Sequence, residues 1–148
     1  MEKEVLLSIS GTHMSDAYQS GADNIEVITP GNYFFKNGKH YVLYDEPEEG
    51  SGRVTRNTLT FTDDYLSLTK HGTENSRMIV ESLKRNVSDY YTPAGSLHVE
   101  MAGEDVAVSE EEGRIHVDCA YGLSINYQQV ARCSLKIDIC AKEEMSLI

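Results

Sequence analysis

A long apolar run, a surplus of basic side chains and an even set of cysteines are all missing from this sequence, and each absence closes off a class of protein. The 148 residues carry 24 Asp and Glu against 13 Lys and Arg, a net charge of -11. A phosphate backbone would be repelled by most of such a surface, so nucleic acid is excluded as an expected partner. No segment has the length of a membrane span. The opening Met1-Glu2-Lys3-Glu4 is acidic where a signal peptide needs a basic start, and the Val5-Leu6-Leu7 run behind it is too short for an export core. The expectation is a cytoplasmic protein with no membrane insertion. Cys119, Cys133 and Cys140 are odd in number and lack zinc spacing, which argues against a disulfide framework. Cys119 and Cys133 fall on apolar strand faces, as buried inert thiols do.

The motifs of common chemistries are missing as well. Five histidines, at 13, 40, 71, 98 and 116, form no His-x-His pair and no His-Glu-x-x-His, so no metal site is expected. No serine sits in a glycine-flanked elbow, and no cysteine stands beside a base. Gly50-Ser51-Gly52 lacks the lysine and the following helix of a phosphate loop. The acidic runs Asp45-Glu46-Pro47-Glu48-Glu49-Gly50 and Glu110-Glu111-Glu112-Gly113 end in glycine and lack the alternating oxygen ligands of an EF-hand loop. They read as solvated turns. No catalytic residue, metal or cofactor is implied.

What is present is a pattern of strands. A chain of this length with 40% hydrophobic and 25% charged residues fits one globular domain over 1–148. Period-two alternation sets Leu97, Val99 and Met101 against Ser96, His98 and Glu100, and Ile115, Val117, Cys119 and Tyr121 against Arg114, His116 and Asp118. Leu135, Ile137 and Ile139 oppose Ser134, Lys136 and Asp138 in the same way. An Asn37-Gly38 turn registers one hairpin, with Phe35 opposite His40 and Tyr33 opposite Val42. It has two apolar faces, Tyr33, Phe35, Val42 and Tyr44 on one and Phe34, Tyr41 and Leu43 on the other, so its outer face needs a cover. A second hairpin about Asp63-Asp64 pairs Thr62 with Tyr65 and Phe61 with Leu66, and its inner face is Leu59, Phe61, Leu66 and Leu68.

Further strands are expected at Val5 to Ile9, Ile25 to Thr29, Arg77 to Glu81 and Asp105 to Val108. The total is about ten segments, some of them halves of one strand bent at a bulge. Asn75 to Asn86 could be a helix, but Met78-Ile79-Val80 favours a strand there. Closing such a sheet leaves no exposed edge, so the expected fold is all-β: a single antiparallel barrel of about 8–10 strands.

One polar cluster falls on the inward faces. Lys70 and Asn57 lie opposite each other beside Leu59 and Leu68, and Glu46 shares the face of Val42 and Tyr44. A charge placed there needs a partner. Two readings compete: a structural ion pair closing one end of the barrel, and a polar anchor for a small apolar or amphipathic ligand. Tyr33, Phe35, Tyr44, Phe61 and Tyr91 are bulky enough to fill a small barrel by themselves. The ligand reading assigns Glu46, Lys70, Asn57, Tyr44, Tyr33 and Tyr91 to the site. A different class of function, an interaction module with a filled barrel, would use Phe34, Tyr41 and Leu43 as a homodimer face. A third is acid-base chemistry by a buried Glu46.

The order and spacing of several segments resemble the YwiB-like family of bacterial proteins of unknown function. These segments are Tyr41-Val42-Leu43-Tyr44 with Glu46, Lys70-His71-Gly72, Tyr91-Thr92-Pro93-Ala94-Gly95 and Gly113-Arg114-Ile115. Lys70 stands where the family usually has arginine, and Ala94 where it has an aromatic residue. The resemblance implies a calycin-like, or lipocalin-like, barrel in the bacterial cytoplasm and carries no functional residues with it. Familiar secreted lipocalins place a tryptophan at the barrel base, and this chain has none, so the likeness to calycins is one of architecture.

Overall fold

Alternating inward and outward side chains build every part of the computed structural model, which describes residues 2–14, 23–48, 50, 52–72, 75–93 and 95–142. The strands are β1 (Glu2–Met14), β2 (Asp23–Lys36), β3 (Lys39–Pro47), β4 (Val54–Thr62), β5 (Tyr65–His71), β6 (Ser76–Glu81), β7 (Arg85–Thr92), β8 (Gly95–Glu111), β9 (Arg114–Ile125) and β10 (Gln128–Ala141). All pairings are antiparallel, in the order β6-β5-β4-β3-β2-β1-β10-β9-β8-β7. Two meandering arms therefore share the β1–β10 pair as a hinge and curl toward each other. The result is the expected all-β barrel, with ten strands and nearly closed.

Both hairpin registers follow the turns as expected. Tyr33 faces Val42, and Phe35 faces His40; Phe61 faces Leu66, and Asn57 faces Lys70. Asn37 and Gly38 both adopt positive φ, 53° and 75°, the conformation that a two-residue hairpin turn requires. Met78-Ile79-Val80 is strand, as its β-branched residues predict. The two segments Leu97–Met101 and Asp105–Val108 belong to the single strand β8, bent where its register slips between Gly103 and Asp105. Ile25–Thr29 and the first hairpin arm likewise merge into β2.

β7 has no counterpart among the expected strands. It lies at one end of the sheet order, Val87 is 53% exposed, and its polar sequence shows no alternation to read.

The middle of the barrel is filled with side chains. Leu7, Val42, Leu59, Phe61, Leu66, Val80 and Val117 are each 1% exposed or less. Cys119 and Cys133 are buried among them, and burial pushes the Cys119 thiol up to about 12, which keeps it protonated and inert. Phe35 does not join this filling. It lies next to the turn, past the end of the packed layer, and is 51% exposed. The side chains of Tyr91 and His13, and residues Glu49, Ser51 and Ala94, lie outside the described part of the chain.

The arms meet at Gly103. Its amide donates to the Lys84 carbonyl at 2.8 Å, and its carbonyl accepts from Leu83 N–H at 3.1 Å. A Cβ on residue 103 would lie 1.8 Å from the Glu81 carbonyl oxygen. Backbone cannot yield as a flexible side chain does, so Gly103→Ala should cost about 3 kcal/mol, at the upper end of overpacking effects. Urea unfolding would measure it; a loss below about 0.5 kcal/mol, typical of a neutral surface change, would mean that the closure at β8 does not depend on this contact.

Candidate functional site

Since the middle is filled, the chemistry lies at the two ends. β3 runs from one to the other: His40 and Glu46 are inward residues near its opposite ends, about 20 Å apart at the usual rise per strand residue.

At the Glu46 end, three of the expected site residues come together. One carboxylate oxygen, Glu46 Oε1, accepts from Asn57 Nδ2 at 2.9 Å and from Lys70 Nζ at 3.4 Å. The Lys70 and Glu46 side chains are 39% and 32% exposed, so their ion pair contributes about 0–1 kcal/mol. Asn57 is different, with only 2% of its surface exposed. Its amide also reaches the Thr55 carbonyl at 3.4 Å, while its own Oδ1 is buried and finds no donor on the protein. The alternative amide orientation would set oxygen against the Glu46 carboxylate, so the orphaned atom is an acceptor.

Tyr44 belongs to the same end. It is 5% exposed and pairs with Asn57 across β3 and β4. Burial first, and then the negative charge of Glu46, hold its phenol well above the usual range, so it remains neutral. Gly31, with no side chain, lies beside Tyr44, whose Cβ is 3.5 Å from where a Gly31 Cβ would stand. A depression of about 710 Å³ opens beside this end, mostly on the outer face of the sheet: Leu43, Asp45, Arg56, Thr58 and His71 line it together with Gly31, Tyr44 and Asn57, and neither Glu46 nor Lys70 is in its wall.

Tyr33 is placed elsewhere. Its hydroxyl lies 2.8 Å from His40 Nδ1 at the opposite end of the barrel, so it does not join Glu46, Asn57 and Lys70. His40, which sequence reasoning did not single out, is 8% exposed, and its ring stacks on Phe61 with centroids 4.7 Å apart. Across the mouth, His40 Nε2 stands 4.0 Å from Glu110 Oε1. Glu110 was expected in a turn, but β8 runs on through Glu111, and only Glu112 and Gly113 turn the chain. His40 was legible in the Asn37-Gly38 register, which sets it opposite Phe35 on the inward face; its approach to Glu110 depends on barrel closure and was not.

On the outer face of the first hairpin, Phe34 and Tyr41 stack on each other, centroids 4.8 Å apart and planes within 9°. The two rings supply much of the cover that the sequence demanded, and Leu43 beside them is 39% exposed. His116, on the outer face of β9, is held by Asp138 at 2.7 Å through Nδ1 and by Asp118 at 3.0 Å through Nε2. Among the described residues, no group of three or more His, Cys, Asp or Glu side chains could hold a metal ion. No helix among them is long and apolar enough to cross a membrane.

Fold and ends together define an antiparallel ten-stranded barrel with a filled middle and a polar cluster at each mouth. The chain belongs to the family described as Domain of unknown function (DUF1934), whose model matches residues 7–137. It is similar in fold to the crystal structure of the ywiB protein from Bacillus subtilis, with a TM-score of 0.72 and 15% sequence identity, covering 92% of this chain and 91% of that one. A search of curated proteins finds no match.

His116 offers a titration that geometry fixes in sign. The hydrogen bond to Asp138 raises its pKa most; burial, next in size, lowers it, and the charge and hydrogen bond of Asp118 with the charge of Asp138 raise it further, for a net upward shift. A raised folded value means that the stability gained from this pairing is fully present below pH 6.5 or so and is lost as pH rises through the folded pKa. In a proton NMR titration, Asp138→Asn should move the His116 midpoint down toward the ordinary histidine value. An unmoved midpoint would show that Asp138 is not what raises it.

Proposed function

We propose that this chain is a cytoplasmic, calycin-like barrel that binds a small, partly apolar molecule at its Glu46 end. The buried, unpartnered Oδ1 of Asn57 carries this reading. An unsatisfied buried acceptor costs about 1–3 kcal/mol, and an apolar residue of similar size would avoid that cost. A ligand that donates to Oδ1 offsets it. Lys70 Nζ has three protons and directs one at Glu46, which leaves donors for an acceptor on the same ligand. The favoured ligand therefore carries a polar end that both donates and accepts, with its apolar part against Tyr44.

Strand order supports the calycin comparison. Apart from the junction of β6 and β7, each strand pairs with its neighbours in the chain, and the first pairs with the last, which is the plan of up-and-down barrels such as lipocalins. Cys119, Cys133 and Cys140 are all thiols, two of them buried, which fits a reducing compartment.

Native mass spectrometry of protein purified from its host tests the proposal. The expected result is an extra mass that disappears on denaturation and is absent from Asn57→Leu, which removes the orphaned acceptor; the hydrogen bond to Glu46 goes with it, so overall stability should change by less than about 2 kcal/mol. Bare wild-type protein at monomer mass would overturn the ligand reading. Bare dimer would instead support the second reading, an interaction module. That reading is favoured by the exposure of Leu43, 39%, next to the Phe34–Tyr41 stack. Tyr41→Glu should then shift the dimer to monomer in size-exclusion chromatography, and an unchanged dimer would exclude this face.

A further inference from the structure

The mouth opposite Glu46 has a different chemistry. A cavity of about 570 Å³ is lined there by Tyr33, Phe35, His40, Thr62, Asp63 and Glu110, with no lysine or arginine in its wall. The two lysines of the adjoining turn, Lys36 and Lys39, alternate to the outer face, and the Lys39 ammonium sits 5.7 Å from the Tyr65 ring centroid. Two carboxylates thus share a cavity with three aromatic rings and no fixed cation.

The hydrogen bonding leaves the carboxylates available. With Tyr33 O–H donating to His40 Nδ1, the proton on Nε2 faces Glu110 at 4.0 Å, beyond hydrogen-bond reach. Burial and the charge of Glu110 raise the Tyr33 pKa, so the phenol keeps the proton that it donates. Phe35 tilts over His40, centroids 4.9 Å apart and planes at 58°, and half of its surface stays exposed. An exposed ring beside an unneutralised carboxylate is the pairing that recognises an ammonium group bearing a hydrocarbon.

We propose that this mouth is a second binding site, formed by Glu110, Asp63, Tyr33 and Phe35, for a small organic cation: an amine with an apolar or aromatic substituent. The ammonium donates to Glu110 and Asp63, and its substituent lies against Phe35 and Tyr33. The site is independent of the one proposed at Glu46, since it lies at the other end of β3 with the filled layer between.

Benzylammonium is a suitable probe, titrated at about 0.15 M salt so that charges more than roughly 8 Å away are screened, and followed by amide NMR. The expected result is saturable shifts at Gly38 and His40, with benzyl alcohol, the neutral analogue, and Glu110→Gln each at least about tenfold weaker, equivalent to ~1.4 kcal/mol. Glu111→Gln makes the same change in net charge on the outer face of the same strand and should leave affinity within about twofold, well under that step. Phe35→Ala should weaken benzylammonium more than methylammonium. Absence of saturation by about 10 mM, equal binding of the alcohol, or an equal loss in Glu111→Gln would overturn the proposal. The last of these would assign the attraction to the -11 charge of the whole chain.

Discussion

At Gly103 two backbones pass so closely that a Cβ would lie 1.8 Å from the Glu81 carbonyl oxygen, and the rest of the molecule is arranged around that approach. The sheet order has two ends, β6 and β7, joined by the short turn between Glu81 and Arg85. If the arms stayed apart, β6 would present a row of unpaired N–H and C=O groups beside an apolar interior. Closure places Leu83 N–H, the Lys84 carbonyl and both polar groups of Gly103 in hydrogen bonds with one another, and Val106 N–H donates to Ser82 Oγ at 3.1 Å. The slip of register between Gly103 and Asp105 bends β8 toward that contact. A small residue and a bulge together thus do what continuous pairing does elsewhere in the wall.

Closure also decides where chemistry can occur. The inner faces of the strands other than β7, rich in Leu, Val, Ile and Phe, fill the middle, so polar inward residues are tolerated only near the ends, where water or a ligand can reach them. The Glu46 end has Lys70 to neutralise its carboxylate and an acceptor, Asn57 Oδ1, without a donor. The Glu110 end has carboxylates without a lysine or arginine. In a chain of net charge -11, the first end is the one locally suited to a neutral or acidic group and the second to a cation.

Much of this could be read before the structure, because hairpin registers depend on turn chemistry and alternation, both local. Asn37-Gly38 correctly placed Tyr33, Phe35 and His40 relative to Val42 and one another, and the Asp63-Asp64 turn led to the Asn57–Lys70 pair. The contact of Lys70 with Glu46 followed from three adjacent strands sharing a face. What local pattern could not supply was position along the barrel axis. Tyr33 shares a face with Tyr44 but sends its hydroxyl to the other end. Phe35, one residue from the turn, ends beyond the packed layer. His40 and Glu110 are far apart in sequence and lie on strands that do not pair, so their approach exists only once the barrel has closed. β7 was illegible for a related reason: its burial alternates, but the less exposed positions hold Asn86 and Ser88 and the exposed one between them Val87, so no apolar alternation shows in the sequence.

The column of inward residues on β4 bears on whether the two ends act separately. Asn57, Leu59 and Phe61 succeed one another along that strand, with Asn57 bonded to Glu46 at one end and the Phe61 ring stacked under His40 at the other. An occupant at the Glu46 end would touch this column at Asn57, and one at the other mouth would reach it only through His40. Close-packed interiors transmit displacement but have few alternative arrangements, and Leu59 and Phe61 are 1% and 0% exposed, with no room to change rotamer without moving Val42 and Leu66. A coupling between the ends would therefore need a second packing of this column, not a graded shift through it. The fully packed arrangement here favours independence of the two proposed sites.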